Sequence, residues 1–270
     1  MRRSVKIGVV GPMSGPRSAY GVLLANAART SIRGLDIIFA DDQGEPDEAV
    51  NAASKLISAD VKVVIGHFNS DCARRAGPLY RQAEIPFLMP AATAPDLIRV
   101  TNGYRVCPTD EDQVAAMIRW VSQSGASIVI EDDGSSYGRN LAHLLRGSLP
   151  AGLEIANIDD PNVLRVMMGT HIAVATAIKR NLKDERPILV PDDCSIAEFE
   201  ELISGAAAQI FVAQPQPNFS AAVKIALGIV AECLAEARDI GDVLRDHEAF
   251  ESGQYKTATF EIVRSSRAIS

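Results

Sequence analysis

The chain has 270 residues, a length that suits two compact domains better than one. Apolar residues make up 47% and charged residues 23%, a globular balance that excludes a disordered tail, a collagen-like fibre and a disulfide-rich miniprotein. Because 34 acidic residues outnumber 27 basic ones, the net charge is −7, and we expect neither nucleic acid nor an anionic membrane surface as a partner.

Two stretches of the sequence bear on the cellular location of the protein. The opening run VKIGVV is too short for a signal peptide and ends in Gly11-Pro12 without a small-residue cleavage site. The most apolar later stretch, residues 221–237, contains Lys224 and Glu232, so it predicts a core helix and no membrane insertion. As written, the sequence predicts a cytoplasmic protein, or a periplasmic one if a leader is missing from this chain.

The first half of the chain alternates short β-branched runs with amphipathic segments. Such alternation predicts βαβ units and a parallel sheet buried on both faces. The predicted strands are VKIGVV, LDIIFA, VKVVIG and IPFLM, and the predicted helices between them are YGVLLANAARTSIR, PDEAVNAASKLISA and SDCARRAGPLYRQAE. The loops after the strands bring polar groups to the carboxyl edge of the sheet, where open α/β folds bind ligands.

The pattern then restarts, which predicts a second α/β lobe beginning near Ser122. We place the first lobe at residues 1–121 with about 218–240, and the second at 122–217 with about 241–270.

Two parts of the second half are irregular. LEIANI and VLRVMMG both resemble strands, but the four residues between them are too few for a parallel crossover. The two runs are therefore antiparallel, or one of them is not a strand. The tail GQYKTATFEIVRSS alternates as an edge strand does.

One string resembles a catalytic motif. Gly134-Ser135-Ser136-Tyr137-Gly138 fits GxSxG between a predicted strand and a helix, where a nucleophile elbow would place Ser136. Asp192 and His247 complete the order of a triad. However, His247 falls on a predicted acidic helix, and no Gly-rich segment offers an oxyanion hole. The preferred interpretation is a polar turn whose serine caps the next helix.

The pattern favours no metal and no cofactor. Paired aspartates follow four predicted strands and could hold Mg²⁺, but no Lys or Gly-rich phosphate cradle lies near them, and aspartate is common in turns. The pairs begin at Asp41, Asp132, Asp159 and Asp192. The four cysteines lack CxxC spacing and predict free thiols: Cys72, Cys107, Cys194 and Cys233.

Two histidines lie at strand ends. His67 follows an apolar run and is predicted to be a hydrogen-bonded packing residue. His171 stands at a junction between a strand and a helix, so it is the better candidate to face a cleft.

Small hydroxyl residues recur at successive strand ends. Ser14 follows the first predicted strand, Ser70 the third and Thr93 the fourth. Each lies where a helix should begin, beside unpaired backbone N–H groups and the positive end of a helix dipole. Such a set can hold a small carboxylate without a cationic side chain. Asp192, in the other lobe, is placed in sequence to take an ammonium group.

These segments resemble the leucine/isoleucine/valine-binding branch of the periplasmic solute-binding proteins, receptors that hand amino acids and related molecules to ABC transporters. The resemblance rests on IGVVGPMSGPRSAYG, LDIIFADDQGEPDEAVNAASKLI, VKVVIGHFNSDCA, IPFLMPAATAPDL, YRVCPTDEDQ and IVIEDDGSSYGRNLA, and continues more weakly through ILVPDD and AQIFVA. It implies an α/β fold of two Rossmann-like lobes, the type I periplasmic-binding-protein fold with a reduced second lobe. It further implies hinge closure on a ligand in an interlobe cleft, without catalysis.

The resemblance also implies roles for residues of the first lobe. Ser70 would hold the ligand carboxylate together with nearby backbone N–H groups. The Ala91 carbonyl and the Thr93 hydroxyl would take the ammonium, and Tyr20 would wall the pocket. Asn69 is counted with these ligand residues, although some members carry a disulfide cysteine at its place.

In the second lobe, the resemblance implies that Tyr137 closes over the ligand and that Asp192 replaces the family's usual glutamate at the ammonium. His171 stands roughly where members carry an aromatic pocket residue. Members are longer, so this chain is expected to lack a crossover helix between LEIANI and VLRVMMG and part of the C-terminal portion.

The leading hypothesis is a non-catalytic binding protein for a small amino acid or amide. It would work either with an ABC permease or as a cytoplasmic sensor of the amide-sensing type that controls a regulatory protein. A serine hydrolase using Ser136, and an interaction module whose second lobe no longer closes, are the alternatives from other classes.

Overall fold

The computed structural model describes residues 5–31, 36–153, 155–236 and 238–265, and the structural statements below concern these residues. The chain divides into two compact units. The first unit comprises Met1–Thr109 and Pro217–Ala258, and the second comprises Asp110–Gln216 and Thr259–Ser270. Each unit has its own sheet and its own apolar core.

The strands form from short apolar runs rich in Val and Ile, and the central ones are buried because helices cover both faces of the sheet. In chain order the strands are β1 Lys6–Gly11, β2 Asp36–Asp41, β3 Val63–Ile65, β4 Phe87–Met89, β5 Tyr104–Arg105, β6 Ile128–Asp132, β7 Leu164–Met168, β8 Ile188–Val190, β9 Ile210–Gln216, β10 Phe250–Glu251, β11 Gln254–Tyr255 and β12 Thr259–Arg264.

The helices are α1 Ser18–Ser31, α2 Pro46–Ser58, α3 Ser70–Gln82, α4 Leu97–Thr101, α5 Asp110–Ser124, α6 Ser136–Ser148, α7 His171–Lys179, α8 Ala197–Leu202, α9 Phe219–Ala235 and α10 Ile240–Asp246, with a short 3-10 helix at Asp192–Cys194. Polar side chains cap several of them. Ser135 accepts a hydrogen bond from the Gly138 amide at the start of α6, and Asn218 accepts one from the Ala221 amide at the start of α9.

The first unit contains a seven-stranded sheet in the order β10-β11-β5-β4-β3-β1-β2. Its strands are parallel, except that β10 and β11 pair as an antiparallel hairpin. Helices α1 and α9 share a core with one face of the sheet, and α2 and α3 share a core with the other. The parallel sheet predicted for the first half is confirmed, and the loops that follow β1 to β4 therefore lie at one edge of it.

The second unit contains a five-stranded sheet in the order β12-β9-β8-β7-β6. Strands β6 to β9 are parallel, whereas β12 runs antiparallel to β9, from Thr259 opposite Gln216 to Arg264 opposite Phe211. The buried residues of α5 and α6 share a core with this sheet.

The division of the chain differs from the predicted one in two places. Helix α5 belongs to the second unit, although the predicted boundary near Ser122 put most of it in the first. The physical reason is that Val114 and Met117 are buried in the core of the second sheet. Residues 241–258 belong to the first unit, because Val243 packs into its core and β11 pairs with β5.

The two irregular regions of the second half, the LEIANI and VLRVMMG runs and the tail, have different structures. VLRVMMG forms β7, whereas LEIANI contributes one isolated parallel bridge from Ile155 to Ile128, and its Glu154 lies outside the described residues. The alternative that one of the two runs is not a strand is thus confirmed. The tail divides between the sheets, since β11 joins the first sheet and β12 is an edge strand of the second.

In the part of the chain that the structure describes, no helix combines the length and the apolar character needed to cross a membrane. All four cysteines are free and buried. Burial raises the pKa of Cys233 to about 11, so this thiol is protonated at neutral pH.

A partly buried ion-pair network links β6, β7 and the segment before β8. Arg165 lies 2.8 Å from Glu131 and 3.1 Å from Asp184, and Arg186 lies 2.7 Å from Asp184. Hydrogen bonds from Arg186, together with the charges of both arginines, lower the pKa of Asp184.

Replacing Asp184 by asparagine is expected to cost about 2–3 kcal/mol of stability at neutral pH, because the carboxylate receives charged hydrogen bonds. A carboxyl group whose folded pKa is lowered stabilises the protein above its unfolded pKa, and that contribution disappears as the pH falls through the folded pKa. The difference in urea stability between wild type and Asp184→Asn should therefore shrink as the pH is lowered below about 4. A difference that stays constant down to acid unfolding would contradict the prediction.

Candidate functional site

The loops after β3 and β4 meet at the carboxyl edge of the first sheet. The Ala94 amide donates a hydrogen bond of 3.1 Å to Ser70 Oγ. Ser70 is only partly buried, and Thr93, next to Ala94, is 5% exposed. Because Ser70 Oγ accepts this bond, its own proton is left to donate elsewhere. We call Ser70, together with the predicted ligand residues Ala91 and Thr93 of the loop after β4, the Ser70 cluster.

Ser70 is also the first residue of α3, a helix of 13 residues. The Asn69 side chain makes no capping hydrogen bond, and the Ala73 amide bonds the Asn69 carbonyl as the helical ladder begins. The amides of the first turn precede that bond, so they and the helix dipole favour an anion at this end of the helix. The cluster is therefore suited to a small carboxylate.

The structure removes Ser14 from the predicted hydroxyl set. Its hydroxyl donates to Asp41 Oδ2 at 2.6 Å, and the amides of Met13 and Gln43 donate to Asp41 Oδ1. Asp41 thus ties the loop after β1 to the loop after β2. Of the three predicted hydroxyl residues, Ser70 is bonded to the residue that follows Thr93, whereas the Ser14 hydroxyl is bonded to Asp41.

Tyr20 and Asn69 lie near the same edge of the first unit but pack against other side chains. Tyr20 is 3% exposed, and its ring centroid lies 3.9 Å from that of Phe68 and 5.9 Å from that of Phe219. The Asn69 side chain lies beside Gly44 in the loop after β2, and its Oδ1 is buried without a partner in the described residues. Their contact with a ligand stays a prediction.

A buried polar triad supports the loop that carries Ser70. His67 Nδ1 lies 2.6 Å from Asp42 Oδ2, and His67 Nε2 lies 3.1 Å from the Tyr80 hydroxyl. The side chains of His67 and Asp42 are completely buried. The prediction that His67 is a hydrogen-bonded packing residue is confirmed, and Asp42, which belongs to one of the aspartate pairs at strand ends, is its buried partner.

Asp192 lies at the carboxyl edge of the second sheet, just after β8, and Gln113 binds it from α5. Gln113 is completely buried; its Nε2 donates to Asp192 Oδ1 at 3.0 Å, and its Oε1 accepts from the Asp192 amide at 3.0 Å. The Tyr137 hydroxyl donates to the same carboxylate oxygen. Burial and the carboxylates of Asp192 and Asp110 raise the pKa of Tyr137 well above its usual value, so the hydroxyl stays protonated. We call Gln113, Tyr137 and Asp192 the Asp192 cluster.

His171 does not face a cleft as the sequence predicted. Its side chain is completely buried, with Nδ1 3.2 Å from Asp193 Oδ2 and Nε2 3.0 Å from Glu198 Oε2. The His171 amide donates to the same Asp193 oxygen at 2.7 Å. Both ring nitrogens are therefore engaged within the second unit, and the ring holds α7 against the 3-10 helix that begins at Asp192.

The hydrolase constellation is not assembled. Ser135, not Ser136, caps α6. The His247 ring accepts from the Ala249 amide at Nδ1 and lies 3.3 Å from Glu232 at Nε2, so both nitrogens have partners other than Asp192. A triad needs a histidine bonded to the acid and to the serine. The capping interpretation of the GSSYG string is confirmed. Within the described ranges, no group of His, Cys, Asp and Glu is arranged to hold a metal ion.

A sequence profile described as periplasmic binding protein matches residues 4–163, more than half of the chain. The chain belongs to the periplasmic binding protein family. The Leu/Ile/Val-binding protein BraC3 of Rhizobium johnstonii is 29% identical over 163 residues, which cover 55% of this chain and 44% of that protein. The Leu/Ile/Val-binding protein of Escherichia coli K12 is 31% identical over 169 residues, 56% of this chain and 46% of that protein. In these matches the chain spans about half the length of its curated relatives.

Solved structures share the fold. The branched-chain amino acid transporter substrate binding protein LivJ from Streptococcus pneumoniae, crystallised with isoleucine, matches with a TM-score of 0.79 at 19% identity, covering 97% of this chain and 100% of that chain. The predicted α/β fold of the type I periplasmic binding proteins is confirmed.

Two residues of these clusters and their surroundings carry no clear sequence signal. Gln113 stands in the acidic start of α5, where nothing in the sequence marks it as the partner of an acid 79 positions away. Arg105 follows Tyr104 in a two-residue strand, yet its guanidinium donates to the Ala94 carbonyl in the loop of the Ser70 cluster.

Proposed function

We propose that this periplasmic binding protein binds a small amino-acid-like ligand without catalysis, as the substrate-binding protein of an ABC transporter. The observation that carries the proposal is the hydrogen bond from the Ala94 amide to Ser70 Oγ, which joins the two loops of the Ser70 cluster. The relatives, which are Leu/Ile/Val-binding proteins, support a branched-chain amino acid as the first ligand to test.

The chemistry of the two clusters suits the two ends of an amino acid. The Ser70 hydroxyl and the first amides of α3 donate hydrogen bonds, as a carboxylate requires. Asp192 supplies the negative charge that an ammonium group requires, and protonated Tyr137 holds the Asp192 carboxylate in place. The Ala91 carbonyl and the Thr93 hydroxyl are further predicted partners of the ammonium. No step in this scheme breaks a bond, so the ligand is released unchanged.

Replacing Ser70 by alanine is expected to weaken ligand binding about tenfold, because a hydrogen bond to a charged group is worth about 1.5 kcal/mol. Titration calorimetry with a panel of amino acids and their amides, on wild type and Ser70→Ala, measures the change. Ser14→Ala is the matched control, since Ser14 is bonded to Asp41 and its replacement should leave the affinity within about twofold of wild type.

Two results would contradict the proposal. If no amino acid or amide in the panel binds wild type, the ligand class is wrong. If a ligand binds but Ser14→Ala weakens it as much as Ser70→Ala does, the Ser70 cluster is not its site.

A further inference from the structure

Arg105 is a buried cation in the first unit. It is 1% exposed, on the short strand β5. Nη2 donates to the Ala94 carbonyl at 2.5 Å, and Nη1 donates to Gln254 Oε1 at 3.3 Å. Nε is buried without a hydrogen-bond partner in the described residues.

No carboxylate among the described residues forms an ion pair with Arg105, whose two partners are both neutral. Arg165, a partly buried arginine of the second unit, shows the usual arrangement, because Glu131 and Asp184 both pair with it. An arginine cannot escape burial by losing its proton, and a buried charge without a counter-charge is costly. We therefore expect an anion near Arg105 that supplies its counter-charge.

The Ser70 cluster, which suits a carboxylate, is linked to Arg105 through Ala94. Ala94 is bonded on both sides: its carbonyl accepts from Arg105, and its amide donates to Ser70 Oγ. One residue thus separates the guanidinium from the hydroxyl and the helix start that suit a carboxylate. Because Arg105, Thr93 and Ala94 are buried, the field of Arg105 is less screened by solvent there than at an exposed position.

We propose that Arg105 is the counter-charge of a carboxylate bound at the Ser70 cluster, acting across Ala94 without touching the ligand. The site then prefers an anionic carboxylate to a neutral amide. This inference rests on the proposed function for the place of the ligand, but it concerns only the charge of the group bound there. Arg105 is a positioning and specificity-determining residue in this scheme.

The variant that tests it is Gln254→Glu, which places a carboxylate beside Arg105 Nη1. If Arg105 lacks a counter-charge, the new carboxylate at position 254 supplies one and raises the midpoint of thermal unfolding in the absence of ligand. The same change competes with a bound carboxylate, so it weakens binding about tenfold. If the role of Gln254 is purely structural, the variant should have a lower midpoint of thermal unfolding, and it should not weaken a carboxylate ligand more than a neutral one.

The probes are sodium acetate, with sodium chloride at equal ionic strength as reference, and the pair L-leucine and L-leucinamide, all at pH 7.5. Acetate should raise the unfolding midpoint of wild type, and of the control Gln82→Glu, more than chloride does. Gln82 lies exposed at the far end of α3, so that variant adds the same charge away from the cluster. In Gln254→Glu and in Arg105→Gln the acetate response should be lost, and any preference for leucine over leucinamide should fall about tenfold.

The outcomes separate the two proposals. If acetate stabilises wild type and Gln254→Glu equally, or does not stabilise wild type, the inference about Arg105 is overturned. If leucine binds wild type and Gln254→Glu with equal affinity, the inference about Arg105 is wrong while the proposed function stands. If acetate behaves as expected and no amino acid binds, the inference stands and the amino-acid ligand is wrong. Should Arg105→Gln not fold, Gln254→Glu alone decides.

Discussion

Alanine at position 66 is expected to destabilise the first unit by about 3 kcal/mol or more. Gly66 follows β3 with a φ of +142°, a conformation that L side chains rarely adopt. A Cβ atom there would lie 1.9 Å from the Val10 carbonyl oxygen and 2.7 Å from Val10 Cγ1. Because the first of these is backbone of the neighbouring strand β1, the clash cannot be relieved by rotating a side chain.

Hydrogen exchange read by mass spectrometry locates this effect as well as measuring it. In Gly66→Ala, amides of β1, β3 and α3 should exchange faster, while those of β6 to β8 should keep their protection. The loop from Gly66 to Ser70 must also shift, so ligand binding should be lost with the stability.

Gly147→Ala is the matched control for Gly66→Ala. Gly147 lies in α6, and a Cβ atom there meets nothing within 4 Å. Alanine at this helical position should stabilise the protein by about 0.5–1 kcal/mol.

Equal protection of the amides against exchange in wild type and Gly66→Ala would contradict the prediction, because it would show that the loop after β3 relaxes without cost.

The regular part of the fold was predictable because a strand buried on both faces of a sheet is a continuous apolar run in the sequence. Strands β1 to β4 are short apolar runs with a predicted helix between each strand and the next, and this pattern alone predicts a parallel sheet. The assignment of α5 failed because a helix's apolar face does not say which sheet it covers; Val114 and Met117 are apolar in either lobe. Strands β10 and β11 have two residues each, too few for any period to show.

The candidate site was predictable where neighbouring parallel strands bring loops together. Ser70 and Thr93 follow the adjacent strands β3 and β4, so their proximity follows from the strand order. Ser14 was misjudged because Asp41, on the next strand, takes its hydroxyl. Gln113 and Arg105 were missed because their partners are set by tertiary packing, and polar side chains become informative only when their burial is known.

Replacing Asp192 by asparagine is expected to weaken the binding of an amino acid about a hundredfold, a loss of about 3 kcal/mol. The amide oxygen of the asparagine would still accept the hydrogen bonds from Gln113 and Tyr137, so the cluster should hold its shape. What the variant loses is the negative charge opposite the ammonium. The change should therefore depend on the ligand: large for L-leucine, and within about threefold for isocaproate, which has the same carbon skeleton without the ammonium.

Calorimetry with both ligands on wild type and Asp192→Asn measures this difference directly. Asp132→Asn is the control, because Asp132 is an exposed aspartate at the same edge of the second sheet whose Oδ1 accepts from the Gly134 amide. It removes one negative charge from the unit and should leave both affinities unchanged. Equal losses for leucine and isocaproate in Asp192→Asn would mean that Asp192 shapes the site without pairing with the ammonium, and Gln113 and Tyr137 would then be part of a structural network alone.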